Sequence, residues 1–141
     1  GILMMVANGT DKGVVQGTLV YLNRQNYSFP PDHGARLVTM ILNDAGLHAD
    51  WMAELDEARL SMQDLRAQLA RALQERTGSD RFGFLAEHRG MFSRIGATPE
   101  QVDQMRDAHG IYMVSDSRMN IAGLNAQSVP ILADAIVAAG N

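Results

Sequence analysis

The chain has 141 residues, enough for one domain of ordinary size with a core, and 46% of them are hydrophobic. Its formal net charge of -4 argues against nucleic-acid and anionic-membrane partners, which need a basic face. It has no cysteine, which excludes a disulfide framework and a thiolate metal site and fits a cytoplasmic location.

Residues 2–7 (Ile-Leu-Met-Met-Val-Ala) read as a buried strand that begins abruptly, too short for a membrane span and without the basic leader of a signal peptide. Thr10 or Asp11 can cap a first helix running to about Asn26, with Val14, Val15, Leu19 and Leu22 on one side. Pro30-Pro31 stops any helix and fixes an extended corner. A short helix follows from about Gly34 to Asn43. Asp50 reads as the N-cap of a long helix reaching about Arg76. Trp51, Ala58, Leu65 and Ala72, interleaved with Leu55, Met62 and Leu69, give it a narrow apolar seam. An ordinary amphipathic helix and a coiled-coil pairing both fit that seam.

Phe82–Leu85 and Met91–Ser93 read as two short strands joined around Arg89-Gly90. Thr98-Pro99-Glu100-Gln101 is a helix start with a capping box, and that helix ends near Gly110. Ile111–Val114 and Met119–Ile121 read as further strands, and a last helix spans about Ser128 to Ala139. The expected fold class is therefore α/β: a small mixed sheet of three or four strands covered by helices, with one long amphipathic helix.

The chemistry-bearing residues are few. Lys12 is the only lysine and sits in a polar turn, where a surface role is the ordinary one. The histidines at 33, 48, 88 and 109 show no metal-ligand spacing, so no metal site is expected. Arg118, between two strand-like pieces and followed by Asn120, offers a planar fork suited to a carboxylate. An exposed structural arginine remains the alternative reading. Arg24 lies where its charge suits a helix C-terminus. Phe92, taken alone, reads as a core residue.

Two segments add a resemblance. Arg24-Gln25-Asn26-Tyr27-Ser28-Phe29-Pro30-Pro31-Asp32-His33-Gly34-Ala35 resembles the R-x-x-Y-S-N-P-P-x-H-G-A segment of the aspartate and aromatic amino-acid aminotransferases, pyridoxal-phosphate enzymes of fold type I. Ser117-Arg118-Met119-Asn120-Ile121-Ala122-Gly123 resembles that family's G-R-[VI]-N-[VI]-A-G segment, with Ser117 in place of the usual glycine. The resemblance runs along the whole chain and implies the C-terminal portion of such an enzyme. It divides the chain into a remnant of the large cofactor-binding domain (residues 1–33), interdomain helices (34–76) and a small C-terminal domain (77–141).

On this resemblance Arg118, supported by Asn120, holds the substrate α-carboxylate, and Phe92 packs over the substrate side chain. Arg24 reaches the neighbouring subunit's site, where Tyr27, Ser28 and Phe29 form part of the wall. Phe29 replaces an asparagine and makes that wall more apolar, a lean toward aromatic over dicarboxylic substrates; Arg24 itself does not choose between them. The implied full enzyme exchanges an amino group between an amino acid and a 2-oxo acid through pyridoxal phosphate, as a homo-oligomer. The cofactor-holding lysine is expected upstream of Gly1, so this chain is expected to lack catalytic residues and to hold no cofactor covalently. The rival expectation is a free-standing, non-catalytic module that binds carboxylates or a protein partner.

Overall fold

The computed structural model describes residues 7–140 except Tyr27 and Pro30. The strand expected over residues 2–7 thus falls almost wholly outside the described residues. The chain divides into two compact units, residues 1–49 and 50–141.

In the first unit, α1 (Lys12–Asn26) begins where expected. Asp11 is its cap, with Oδ1 accepting from the backbone N–H groups of Gly13 and Val14 at 2.8 and 3.2 Å. Those are two of the donors every helix start leaves without an intrahelical partner. After α1 the backbone turns at Ser28, whose φ of 60° is in the left-handed region. The Asn23 side chain holds the turn by donating to the Ser28 carbonyl at 3.1 Å. Helix α2 (His33–Asn43) follows, and neither α1 nor α2 contains a buried residue. Val20, Tyr21, Leu22, Leu37, Val38 and Met40 all stand exposed.

The long helix α3 (Ala45–Thr77) starts earlier than the expected Asp50. Asp44 supplies the cap, accepting from the N–H groups of Gly46 and Leu47 at 2.9 and 3.0 Å. Asp44 therefore ends α2 and opens α3, which places Asp50 inside the helix.

The second unit holds the core. The seam of α3 is buried only toward its C-terminal end: Leu69, Ala70 and Leu73 are buried, with Met62, Leu65 and Ala72 packed beside them. Trp51 and Leu55, on the same seam, stay exposed. Phe82–Leu85, expected as a strand, is instead a turn leading into the short helix α4 (Phe84–Glu87). Phe82 and Leu85 are the two buried residues, and their spacing of three serves one side of a helical turn. Strand β1 (Phe92–Arg94) pairs antiparallel with β2 (Arg118–Asn120), in the register Phe92 to Asn120, Ser93 to Met119 and Arg94 to Arg118. Backbone bonds from Ile95 to Ser117 and from Ile121 to Met91 extend the ladder at its two ends.

Among the described residues the sheet has these two strands, fewer than the three or four expected. Ile111–Val114 is the segment that does not join it. Ile111 and Met113 pack on the core while Tyr112 is 85% exposed, the alternation of a strand, but no neighbouring backbone bonds to it as a ladder. Helix α5 (Pro99–His109) has the expected capping box between Thr98 and Gln101 and ends at Gly110, whose φ is 67°. Helix α6 (Ser128–Ala138) packs on α5. Gln101 and Gln104 of α5 donate to the Ala139 and Ala138 carbonyls at 3.0 and 3.3 Å, satisfying the end of α6. Arg76 of α3 pairs with Asp134 of α6 at 2.6 Å. The fold class is thus as expected, a small sheet covered by helices with one long helix. No helix of the described residues is long and apolar enough to cross a membrane.

Candidate functional site

The antiparallel register decides which side chains meet. Phe92, Arg94, Arg118 and Asn120 stand on one face of the two-stranded sheet, while Ser93 and Met119 turn into the core. Arg118 lies diagonal to Phe92, with its guanidinium carbon 5.5 Å from the ring centroid, a cation–π contact. Asn120, directly opposite Phe92, uses its Oδ1 to accept from the Ala122 N–H at 3.1 Å. That bond starts the 3-10 turn Ile121–Gly123.

Phe92, Arg118 and Asn120 line one pocket of about 590 Å³, within the roughly 300–1,000 Å³ usual for small-molecule sites. Its other walls are largely apolar: Ile111, Tyr112, Val114, Leu124 and Ile131. The structure therefore brings together three of the expected site residues, and Phe92 is 53% exposed on the pocket rather than in the core. Arg24 lies in the last turn of α1, Ser28 holds the left-handed turn after it, and Phe29 is 78% exposed, all in the first unit. Tyr27 lies outside the described residues.

No carboxylate forms an ion pair with Arg118 among the described residues. The nearest acid in sequence, Asp116, pairs with Arg94 instead. Its carboxyl is held below the usual carboxylate range. Partial burial pushes it up, but the Arg118 backbone N–H, the Arg94 hydrogen bond and the charges of both arginines outweigh that. Asp116 thus occupies Arg94 and leaves the Arg118 fork open to a ligand.

Ser117, just before Arg118, is buried at a φ of 62°. A left-handed conformation is costly for any residue with a Cβ, which is why glycine suits this place. The serine recovers part of that cost because its Oγ accepts from the Gly96 N–H at 3.1 Å.

One residue that the sequence reading missed governs how β1 is held. Arg66 of α3 is only 1% exposed. It donates to the Ser93 hydroxyl and the Gly90 carbonyl at 2.6 Å each, and to the Leu85 and Phe92 carbonyls at 3.3 Å. Burial, and then the charge of Arg89, push its guanidinium below its ordinary pKa. The available signal was an arginine between Leu65 and Leu69 on the apolar side of α3. The pocket's apolar walls were also missed as such. Ile131 counted as core because it lies on the stripe of α6, and Tyr112 and Val114 counted as strand.

The family model described as "Aminotransferase class I and II" matches residues 6–136. This chain belongs to that family. The aromatic-amino-acid aminotransferase of Paracoccus denitrificans is 56% identical over 139 residues, 99% of this chain and 35% of the relative. The aspartate aminotransferase of Escherichia coli (strain K12) is 41% identical over 115 residues, covering 82% of this chain and 29% of the relative. Among solved structures, an aromatic amino acid aminotransferase with 3-indolebutyric acid superposes with a TM-score of 0.82 at 59% identity, over 92% of this chain and 33% of that one. The enzyme of Psychrobacter sp. B6 cocrystallised with aspartic acid gives 0.78 at 39% identity, over 92% and 32%. The chain spans about a third of the length of these relatives.

Aminotransferases of this class work with pyridoxal phosphate, and one matched structure, from Burkholderia pseudomallei, is covalently bound to it. Covalent attachment of that group uses a lysine. Lys12 is the only lysine, and it stands exposed in the first turn of α1. Among the described residues there is also no cluster of acidic or histidine side chains able to hold a metal ion.

Proposed function

We propose that this chain supplies the substrate-carboxylate part of an aromatic-amino-acid aminotransferase. The carrying observation is the Arg118 guanidinium, in cation–π contact with Phe92 and in no ion pair among the described residues, in a largely apolar pocket. The fork takes both oxygens of an α-carboxylate in parallel hydrogen bonds. Phe92 fixes the plane of that fork and presents an apolar face to the rest of the substrate. Asn120, held by Ala122, borders the same space. An aromatic substrate suits the apolar lining better than a second carboxylate, whose charge would find no permanent cation there besides Arg118.

Arg24, Ser28 and Phe29, with Tyr27, serve the site of a second subunit in this reading. The exposed apolar side chains of α1, α2 and the start of α3 support self-association, since several large apolar groups in water carry roughly 1.5–3 kcal/mol each. Light scattering at micromolar concentration tests this, and a clean monomer contradicts it. The electron sink that the chemistry needs comes with pyridoxal phosphate, and the residue that anchors it lies outside this chain. Borohydride treatment in the presence of the cofactor therefore leaves Lys12 without a stoichiometric adduct; a single specific adduct there refutes this point.

The site itself is tested by mapping amide shifts during titration with 3-phenylpropionate. Shifts should centre on Phe92, Arg118, Asn120 and Leu124. Shifts confined to the first unit, or none, overturn the assignment.

A further inference from the structure

Among the described residues, strand β1 has a strand neighbour on one side only. The backbone bonds from Ile121 to Met91 and from Ile95 to Ser117, with Ser93 opposite Met119, put residues 91, 93 and 95 in the hydrogen-bonded phase of the antiparallel ladder. Phe92 and Asn120 are then a non-bonded pair, and the Phe92 main chain turns its carbonyl to the outer edge of β1. Such an edge leaves carbonyls without ladder partners. Here Arg66 takes them. Its Nη2 donates to the Gly90 carbonyl at 2.6 Å and to the Phe92 carbonyl at 3.3 Å, two residues apart, as a third strand would. Its Nη1 donates to the Leu85 carbonyl and the Ser93 hydroxyl.

A guanidinium is planar and its donors diverge at fixed angles, so one fork fixes several acceptors relative to each other. Arg66 is 1% exposed, and water does not compete for these bonds. No ladder bond from β2 reaches the Phe92 main chain itself, so the Arg66 fork is what holds it from outside. The ring of Phe92 lies on the site face, 5.5 Å from the Arg118 guanidinium carbon. Among the described residues the Arg118 side chain has no ion pair or hydrogen bond, which leaves this ring to orient it.

We propose that Arg66 is a positioning residue for the substrate site: by holding the Gly90 and Phe92 carbonyls it places the Phe92 ring, and through the ring it sets the direction in which the Arg118 fork meets a carboxylate. Arg66 itself touches neither the fork nor a ligand. The effect on binding rests on the substrate-carboxylate reading of Arg118; the placement of ring and fork does not.

The test compares the parent chain with two variants. Arg66→Lys keeps the charge but lacks a fork able to span two carbonyls. Thr98→Ala loosens the same unit at the α5 cap without touching β1. At a temperature where circular dichroism shows all three folded, two quantities are read: the side-chain proton resonances of Arg118, which carry the ring shift of Phe92, and the affinity for 3-phenylpropionate. In Arg66→Lys the Arg118 resonances should move toward their positions in Phe92→Leu, while the amides of Val102 and Met105 in α5 stay in place. Its affinity should fall about threefold to tenfold, and Thr98→Ala should change neither quantity. Unmoved Arg118 resonances in Arg66→Lys overturn the proposal, and so do equal losses of affinity in Arg66→Lys and Thr98→Ala, which mark general loosening. A parent that does not bind 3-phenylpropionate overturns the substrate reading instead, and the Arg118 resonances alone then decide the positioning role. If Arg66→Lys does not fold, the parent decides. Coupling is reciprocal, so 3-phenylpropionate must slow hydrogen exchange of the Arg66 guanidinium, and unchanged exchange overturns the proposal.

Discussion

Replacing Arg66 should be among the most damaging single changes in the second unit. Arg66→Met keeps much of the apolar stem but removes four hydrogen bonds. The Leu85 carbonyl loses its Arg66 bond in buried surroundings and the Gly90 and Phe92 carbonyls theirs in partly buried ones, while the Ser93 hydroxyl keeps only His88 Nδ1 at 3.1 Å. Each buried polar group left unpaired costs about 1–3 kcal/mol. Removing the guanidinium also removes its own desolvation cost, which offsets part of that sum. The net expectation is a loss of about 3–5 kcal/mol, a large share of the roughly 5–10 kcal/mol of a small domain. Arg66→Lys keeps the charge but carries three donors on a point-like head instead of five in a fork, so it should fall between the two. Urea unfolding followed by circular dichroism measures this, with the midpoint falling and the slope unchanged. A midpoint for Arg66→Met within about 1 kcal/mol of the parent would refute the view that the guanidinium network holds β1.

Ser117 offers a paired test of backbone strain. Ser117→Ala keeps the left-handed cost and strips Gly96 of its acceptor, for a loss of about 1–3 kcal/mol, whereas Ser117→Gly trades that bond for relief and should stay within about 1 kcal/mol of the parent. Thermal melts of the two variants decide it. Thr98→Ala should cost about 1 kcal/mol in the same assay through loss of the α5 cap. The carboxyls of Asp134 and Asp116 are both depressed, Asp134 chiefly by the Arg76 hydrogen bond and Asp116 by bonds and charges that outweigh its burial. Their contribution is therefore present above the ordinary aspartate pKa of about 3.9 and is lost as pH falls through their lower folded values. Asp134→Asn should flatten the acid limb of a stability–pH curve while changing little near neutrality relative to its own baseline; an unchanged acid limb counts against the Arg76 pair.

Much of this structure is legible in the residues because local chemistry dictates it. Thr98, Pro99 and Gln101 specify the start of α5 with side-chain bonds that reach only three residues, and Gly110 ends it with a backbone angle that glycine accepts without strain. Asp11 works in the same local way. Asp44 was passed over because one aspartate both closes α2 and opens α3, so no loop separates the helices and Asp50 offered itself as the cap. Phe82–Leu85 misled because a short apolar run has no decisive period, and only burial of the first and fourth residues shows a helical turn. The residue pattern predicts strands at 91–93 and 119–121, each one residue away from the observed 92–94 and 118–120, and the pairing that puts Phe92, Arg118 and Asn120 on one face is not legible in it. Arg66 was invisible for a different reason. Three of its partners are main-chain oxygens 19 to 26 positions away and the fourth is the Ser93 hydroxyl, and no side-chain pattern announces them.

The most direct test of the substrate-carboxylate assignment compares 3-phenylpropionate binding by the chain and by Arg118→Gln, followed in both by amide shifts of the pocket residues. Arg118 bonds no core group, so the variant should fold as the parent does. The account predicts an affinity at least roughly tenfold weaker in Arg118→Gln, the loss expected when a charged fork is replaced by a neutral amide. Equal affinity in the two proteins would contradict it.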